Sequence, residues 1–130
     1  MIAYHATPAL RLGRILTEGL RPGMPRTWSD GLGQKQGSRR HLYFSLGEDE
    51  AVRWAYKMQY DLGEVCVVVV VDLGESAHEP DPHPEGRLNG YGWVRTTEPV
   101  PPPGIDRVLT LTPERIRAVV ARTMEATQAA

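Results

Sequence analysis

The chain has 130 residues and a formal net charge of −1, which fits one domain with its own core and gives no bulk electrostatic case for nucleic-acid binding. Its single cysteine, Cys66, excludes an internal disulfide and favours a reducing, cytoplasmic setting. The first residues lack the features of a signal peptide, and the longest apolar run, residues 65–71, is too short to span a bilayer. We therefore expect a cytoplasmic protein with no membrane partner.

The first forty residues predict a strand, a helix and a long loop. Residues 1–5 form the strand, and Thr7 and Pro8 then have the pattern of a helix N-cap with proline at the first helical position. The helix is expected to end near Gly19. Its apolar face is expected to contain Leu10, Ile15 and Leu16. Residues 21–40 show no periodicity and predict a long loop. Loops of this length in a compact domain are unusual and are often functional.

A second strand, residues 41–45, alternates polar and apolar side chains. Alternation places Leu42 and Phe44 in the core and turns the polar face toward a cleft. That polar face consists of His41, Tyr43 and Ser45. The spacing of Ser45 and Glu48 predicts a capping box at the start of the next helix.

The helix that follows has its apolar residues at helical spacing, at positions Ala51, Ala55, Met58 and Leu62. Residues 65–71 are continuously apolar and mostly β-branched, which is typical of a strand covered on both faces. Residues 73–90 are polar and contain three prolines, so they predict a loop.

Two further strands, residues 91–97 and 105–111, are expected before a last helix that Thr112 and Pro113 begin. The apolar face of that helix is expected to contain Ile116, Val119, Val120 and Met124. Strands and helices do not alternate regularly along the chain. This order argues against a doubly wound parallel sheet and indicates an α+β domain.

Two residues are candidates for ligand binding on chemical grounds. His5 lies at a strand end before the small residue Ala6, where an imidazole can hydrogen bond a sugar hydroxyl. The alternative is a histidine that only satisfies a turn. Tyr43 has the ring needed to stack on a flat or cationic ligand. The alternative is an ordinary tyrosine on a half-buried strand.

The candidate carboxylates follow predicted strands or lie among prolines: Asp72, Glu75, Glu79, Asp81, Glu85 and Glu98. Asp81 lies between two prolines, whose rings stiffen the loop around it. His78 and His83 flank Glu79 and Asp81, but the prolines exclude the helical two-histidine geometry of many metal sites, so we expect no metal.

Several of these segments, taken in order, resemble the ADP-ribosyltransferase-like superfamily. Residues 4–7, Tyr-His-Ala-Thr, and residues 15–20, Ile-Leu-Thr-Glu-Gly-Leu, resemble its opening motif. Residues 41–45 with 50–55 look like its second strand and following helix. The valine strand, residues 79–82 and residues 91–101 are similar in order and spacing to the small rifampin ADP-ribosyltransferases. The stretch from Trp93 to Pro101 also resembles the RNA 2′-phosphotransferases, which share the fold and use NAD.

The resemblance covers most of the chain, from Ile2 to about Val108, and implies one ADP-ribosyltransferase-like domain over residues 1–130. The implied fold is a mixed, mostly antiparallel split β-sheet with flanking helices. It also implies NAD as co-substrate, with nicotinamide released and ADP-ribose passed to an acceptor. The acceptor is left open between a small molecule, a protein and a nucleic acid.

The resemblance also implies roles for individual residues. His5 would hold the ribose on the nicotinamide side, the backbone at Ala6 would hold the carboxamide, and Tyr43 would stack on the nicotinamide ring. The catalytic carboxylate would be Asp81 by similarity to the rifampin enzymes, or Glu98 by similarity to other transferases. The remaining cofactor-binding candidates are Tyr4, Thr7, Arg39, Arg40 and Ser45. The two arginines are placed there because a guanidinium binds phosphate through two hydrogen bonds.

Two other functions remain open from the sequence. One is an RNA 2′-phosphotransferase-like NAD enzyme, which needs a basic groove for RNA and is mildly disfavoured by the near-neutral charge. The other is a catalytically inactive module that binds NAD or ADP-ribose.

Overall fold

A computed structural model describes residues 1–23, 41–80 and 92–129. The strands in these residues are β1 (Ile2–Pro8), β2 (Leu42–Ser45), β3 (Cys66–Asp72), β4 (Glu79–Pro80), β5 (Trp93–Thr96) and β6 (Ile105–Thr110). The helices are α1 (Leu12–Glu18), α2 (Glu48–Leu62) and α3 (Pro113–Ala129). Short 3₁₀ turns cover Ala9–Arg11 and Pro102–Gly104.

The described strands form one sheet in the order β4-β5-β2-β1-β3-β6. Every pairing in it is antiparallel. The prediction of a mixed α+β protein with a mostly antiparallel sheet is therefore confirmed. The sheet has two halves, β4-β5-β2 and β1-β3-β6, which meet where β1 lies beside β2.

Both faces of the sheet carry an apolar core. On the face that we call the α1 face, Ile15 of α1 packs with residues of β1, β2 and β3 that include Ala3, Phe44 and Val69. On the opposite face, the α2 face, α2 and α3 pack on β3 through residues that include Ala55, Val68, Val70 and Val119. The continuous apolar run of β3 is buried on both faces, as its sequence predicts.

The start of the chain differs from the prediction. The first strand runs on through Thr7 and Pro8, which do not begin the helix. It pairs with β3 along its whole length, ending at Pro8 opposite Cys66, and the hydrogen bonds of this central ladder outweigh the local capping preference. Of the predicted apolar face of α1, Ile15 is buried, but Leu10 and Leu16 are exposed.

The end of α1 is confirmed at Gly19. This residue has φ of +83°, and a Cβ atom there would clash with the carbonyl oxygen of Val100. Glycine therefore permits both the left-handed backbone and the close approach that lets Leu20 pair with Val100.

Three further predictions are corrected. The capping box does not form, because Ser45 Oγ bonds Gly47 instead and Gly47 is the N-cap of α2. The expected loop of residues 73–90 includes the short strand β4. On α3, Val119 is buried but Val120 and Met124 are exposed, because α3 presents only a narrow stripe to the sheet. The predicted start of α3 is confirmed, with Thr112 Oγ1 accepting a hydrogen bond from Arg115 N at 3.1 Å.

We expect the core of β3 to dominate the stability of the fold. Val70 is fully buried, and Val65, just before the strand, is 68% exposed. Val70→Ala should lower the free energy of unfolding by about 2 kcal/mol, through lost burial and a residual cavity. Val65→Ala is the matched control and should change it by less than about 0.5 kcal/mol. Chemical denaturation measures the free energy of unfolding of both variants. Equal losses in the two variants would contradict the burial of β3 on both faces of the sheet.

Candidate active site

The two halves of the sheet meet at a short junction between β1 and β2. Over the described lengths of these strands, the register joins them at one position, Tyr4 opposite Ser45. By contrast, β1 pairs with β3 at seven consecutive positions. Toward Thr7 and Leu42 the two strands continue without further pairing to each other. The main-chain N–H and C=O groups that β1 and β2 turn toward each other along this unpaired stretch therefore need other hydrogen-bond partners.

The imidazole of His5 supplies one of those partners. Its Nδ1 lies 2.9 Å from the main-chain oxygen of Tyr43, so a side chain of β1 bridges to the backbone of β2. The same ring packs against Phe44, with 5.6 Å between ring centroids. This bridge ties the two halves of the sheet just beyond their one paired position.

The surroundings of His5 determine its protonation. Burial lowers its pKa from the ordinary 6.5, the hydrogen bond to Tyr43 raises it, and the charge of Arg11 lowers it. The net shift is downward, so the ring is neutral at neutral pH. A carbonyl oxygen only accepts hydrogen bonds, so Nδ1 carries the proton and Nε2 carries a lone pair. Nε2 therefore suits a hydroxyl or N–H donor and disfavours a phosphate oxygen.

Tyr43 belongs to a group of four polar side chains that we call the Tyr43 cluster: His41, Tyr43, Glu79 and Arg95. Arg95 on β5 pairs with Tyr43 on one side and with Glu79 of β4 on the other. Arg95 Nε lies 2.6 Å from Glu79 Oε1, and His41 Nε2 lies 3.7 Å from the same oxygen. The rings of His41 and Tyr43 are 6.0 Å apart, and His41 Nδ1 is buried with no hydrogen-bond partner among the described residues.

The rings of His5 and Tyr43 leave their strands on opposite faces of the sheet. Tyr4 packs on the α2 face and pairs with Ser45, and alternation places Tyr43 on that face as well. His5 follows Tyr4 and lies beside Phe44, on the α1 face. The structure therefore does not bring the two rings together on one face, and a slot lined by both would have to lie at the unpaired stretch between β1 and β2.

The other candidates near this junction differ in what they offer a ligand. Thr7 is buried, and Ser45 is fully buried with its Oγ bonded to Gly47. Little of either side chain is exposed, and their contact with the cofactor stays a prediction. Tyr4 and Ala6 are half-buried and pack against the core of the α2 face.

The expected carboxylates and phosphate-binding residues are only partly described. Asp81, Arg39 and Arg40 lie outside the described residues. Glu98 is engaged in the structure: its Oε2 accepts a hydrogen bond from Ala77 N at 3.1 Å. It thereby fastens the segment before β4 to the end of β5.

Sequence patterns predicted no role for Arg95 in the Tyr43 cluster, and they singled out Glu79 only as one of several carboxylates. The signal available in the sequence was the alternation of β5, which puts Trp93 and Arg95 on the same face. The register that brings Arg95 beside Tyr43 and Glu79 depends on pairing between distant segments, and no local pattern encodes it.

In the described part of the chain, no group of three or more His, Cys, Asp or Glu residues is arranged to hold a metal ion. Within the same residues, no helix combines the length and the apolar character needed to cross a bilayer.

Comparison of the sequence with protein-family models and with curated proteins returns no match.

The lowered pKa of His5 predicts a pH-dependent stability. In the unfolded chain this histidine titrates near 6.5, so below that pH the unfolded state binds more protons than the folded state. The free energy of unfolding should fall as the pH drops below about 6.5 and be unaffected by this group above it. His5→Asn keeps a donor for the Tyr43 oxygen but cannot titrate, so the difference between the two proteins isolates His5. A constant difference between about pH 7.5 and about pH 5 would contradict the assignment.

Cys66 should be chemically inert in the folded protein. Burial raises the pKa of its thiol to about 11, with a smaller contribution from the charge of Glu64, and the thiolate is the reactive form. A disulfide reagent such as Ellman's reagent should modify the native protein far more slowly than the chain in denaturant. Equally fast reaction in both states would show that the thiol is not protected.

Proposed function

We propose that this chain is an NAD-dependent ADP-ribosyltransferase, a cytoplasmic enzyme with an ADP-ribosyltransferase-like fold that releases nicotinamide and passes ADP-ribose to an acceptor. One observation carries the proposal: the neutral His5 bridges β1 and β2 through Nδ1. That bond leaves the Nε2 lone pair for a ligand hydroxyl. The one-position junction between β1 and β2 supports the split sheet that this fold requires.

The residues at the junction fit the sugar and ring of the dinucleotide. Nε2 of His5 accepts a hydrogen bond from a ribose hydroxyl, and a positively charged histidine in that place would oppose the reaction. The reason is that breaking the bond between ribose and nicotinamide builds positive charge on the sugar. Tyr43 offers a π face to the cationic nicotinamide ring, and this attraction ends when the ring leaves as a neutral molecule.

A carboxylate is needed to stabilise the developing positive charge. Asp81 directly follows β4 in the sequence, which makes it our first candidate. Glu98 is the second, although its hydrogen bond to Ala77 N has to be given up or shared. Arg39 and Arg40 are proposed to contact the pyrophosphate.

A second candidate function is an NAD- or ADP-ribose-binding module without turnover. The observation that favours it is that the carboxylates of Glu79 and Glu98 are both engaged, with Arg95 and with the Ala77 main chain. Both candidates predict binding of NAD, and only the enzyme predicts release of nicotinamide.

The test is a nicotinamide-release assay with calorimetry of NAD binding. Wild type should bind NAD and release nicotinamide. His5→Asn keeps the bridge to Tyr43 but removes the Nε2 acceptor, and Tyr43→Ala removes the stacking ring. Each should lower kcat/KM by about a hundredfold or more while the protein stays folded.

The matched controls are His78→Ala and Tyr60→Ala, which replace an exposed histidine and an exposed tyrosine outside the junction. Both should retain wild-type activity. Binding without release in the wild type would favour the inactive module, and no binding of NAD at all would overturn both candidates.

A further inference from the structure

One row of side chains crosses three strands beside the junction. Glu79 on β4 lies opposite Arg95 on β5, and Arg95 lies opposite Tyr43 on β2. Residues that face each other across antiparallel strands have their Cβ atoms about 5 Å apart, so their side chains interact directly. The row ends at Tyr43, beside the stretch where β2 and β1 are not paired.

Arg95 lies between its two neighbours in this row. Its Nε donates to Glu79 Oε1 at 2.6 Å, and the strand register places it directly opposite Tyr43. The arginine side chain is only 22% exposed, whereas that of Glu79 is 55% exposed. Arg95 is thus the more buried residue in the middle of the row. Glu79 is the more exposed residue at its outer end, and its carboxylate holds the guanidinium.

We propose that Arg95 is a positioning residue for Tyr43, held in place by Glu79 across β4, β5 and β2. The planar guanidinium presents its donors in a rigid fork, so one donor fixed on Glu79 determines where another meets Tyr43. Arg95 thereby sets the orientation in which the tyrosine ring faces a ligand. The inference rests on the proposed function, because it names the residue that prepares Tyr43 to stack on NAD.

The competing explanation is that Glu79 and Arg95 form an ordinary cross-strand ion pair that only stabilises the sheet. The two explanations differ in what a charge swap does. The double variant Glu79→Arg with Arg95→Glu keeps an ion pair between β4 and β5. It also replaces the guanidinium beside Tyr43 with a carboxylate. The swap therefore restores the ion pair between the strands but not the group that positions the Tyr43 ring.

The experiment measures KM and kcat for NAD, thermal unfolding, and the ¹⁹F resonance of Tyr43 in protein labelled with 3-fluorotyrosine. Tyr43→Phe assigns that resonance among the five tyrosines. Arg95→Gln should raise KM about three- to tenfold with a smaller change in kcat, and should shift or broaden the resonance. Arg95→Lys should rescue little of either, because an ammonium lacks the fork. The control Arg107→Gln, on the edge strand β6, should leave both unchanged.

The charge swap gives the decisive comparison. We expect it to recover the melting temperature of the wild type but not its KM or its Tyr43 resonance. Recovery of all three, or an unchanged Tyr43 resonance in Arg95→Gln, would overturn the positioning role. If wild type neither binds NAD nor releases nicotinamide, the proposed function fails. The ¹⁹F comparison still decides on its own whether Arg95 orients the Tyr43 ring.

Discussion

The hydrogen bond from His5 Nδ1 to the Tyr43 carbonyl is the interaction on which the rest of the site depends. It joins the two halves of the sheet where main-chain pairing between β1 and β2 stops. It also determines the chemistry of the imidazole, because the nitrogen that serves the fold must carry the proton. The other ring nitrogen, Nε2, is therefore a hydrogen-bond acceptor. In the proposed function, a ligand hydroxyl donates to that nitrogen.

The two halves of the sheet contribute different things to this junction. The β1-β3-β6 half is anchored by β3, which is buried on both faces and holds β1 along its full length. His5 belongs to this half, opposite Val69 of β3. The β4-β5-β2 half carries the polar row that ends at Tyr43. The two sets of residues meet at the unpaired stretch between β1 and β2.

Local sequence patterns predicted the parts of the fold that depend on short-range physics. The β-branched run of β3, the helical spacing of Ala51, Ala55 and Met58, and the glycine end of α1 all form as expected. The patterns failed where long-range pairing competes with local preference. Thr7 and Pro8 have the sequence of a helix start, yet they belong to a strand because β3 offers a full ladder of hydrogen bonds.

The candidate site was predictable only in part for the same reason. His5 and Tyr43 could be singled out from residue type and position along a strand. The bridge between them depends on where β1 and β2 stop pairing, and the place of Arg95 beside Tyr43 depends on the register of β5. Neither the point where this pairing stops nor the register of β5 is encoded within a single segment of the sequence.

The most direct test of this account is ¹⁵N NMR of the His5 side chain, with and without NAD. We predict a neutral ring protonated at Nδ1, a coupling through the hydrogen bond to the Tyr43 carbonyl, and a change at Nε2 when NAD is added. A ring protonated at Nε2, or an Nε2 signal that NAD leaves unchanged, would contradict it.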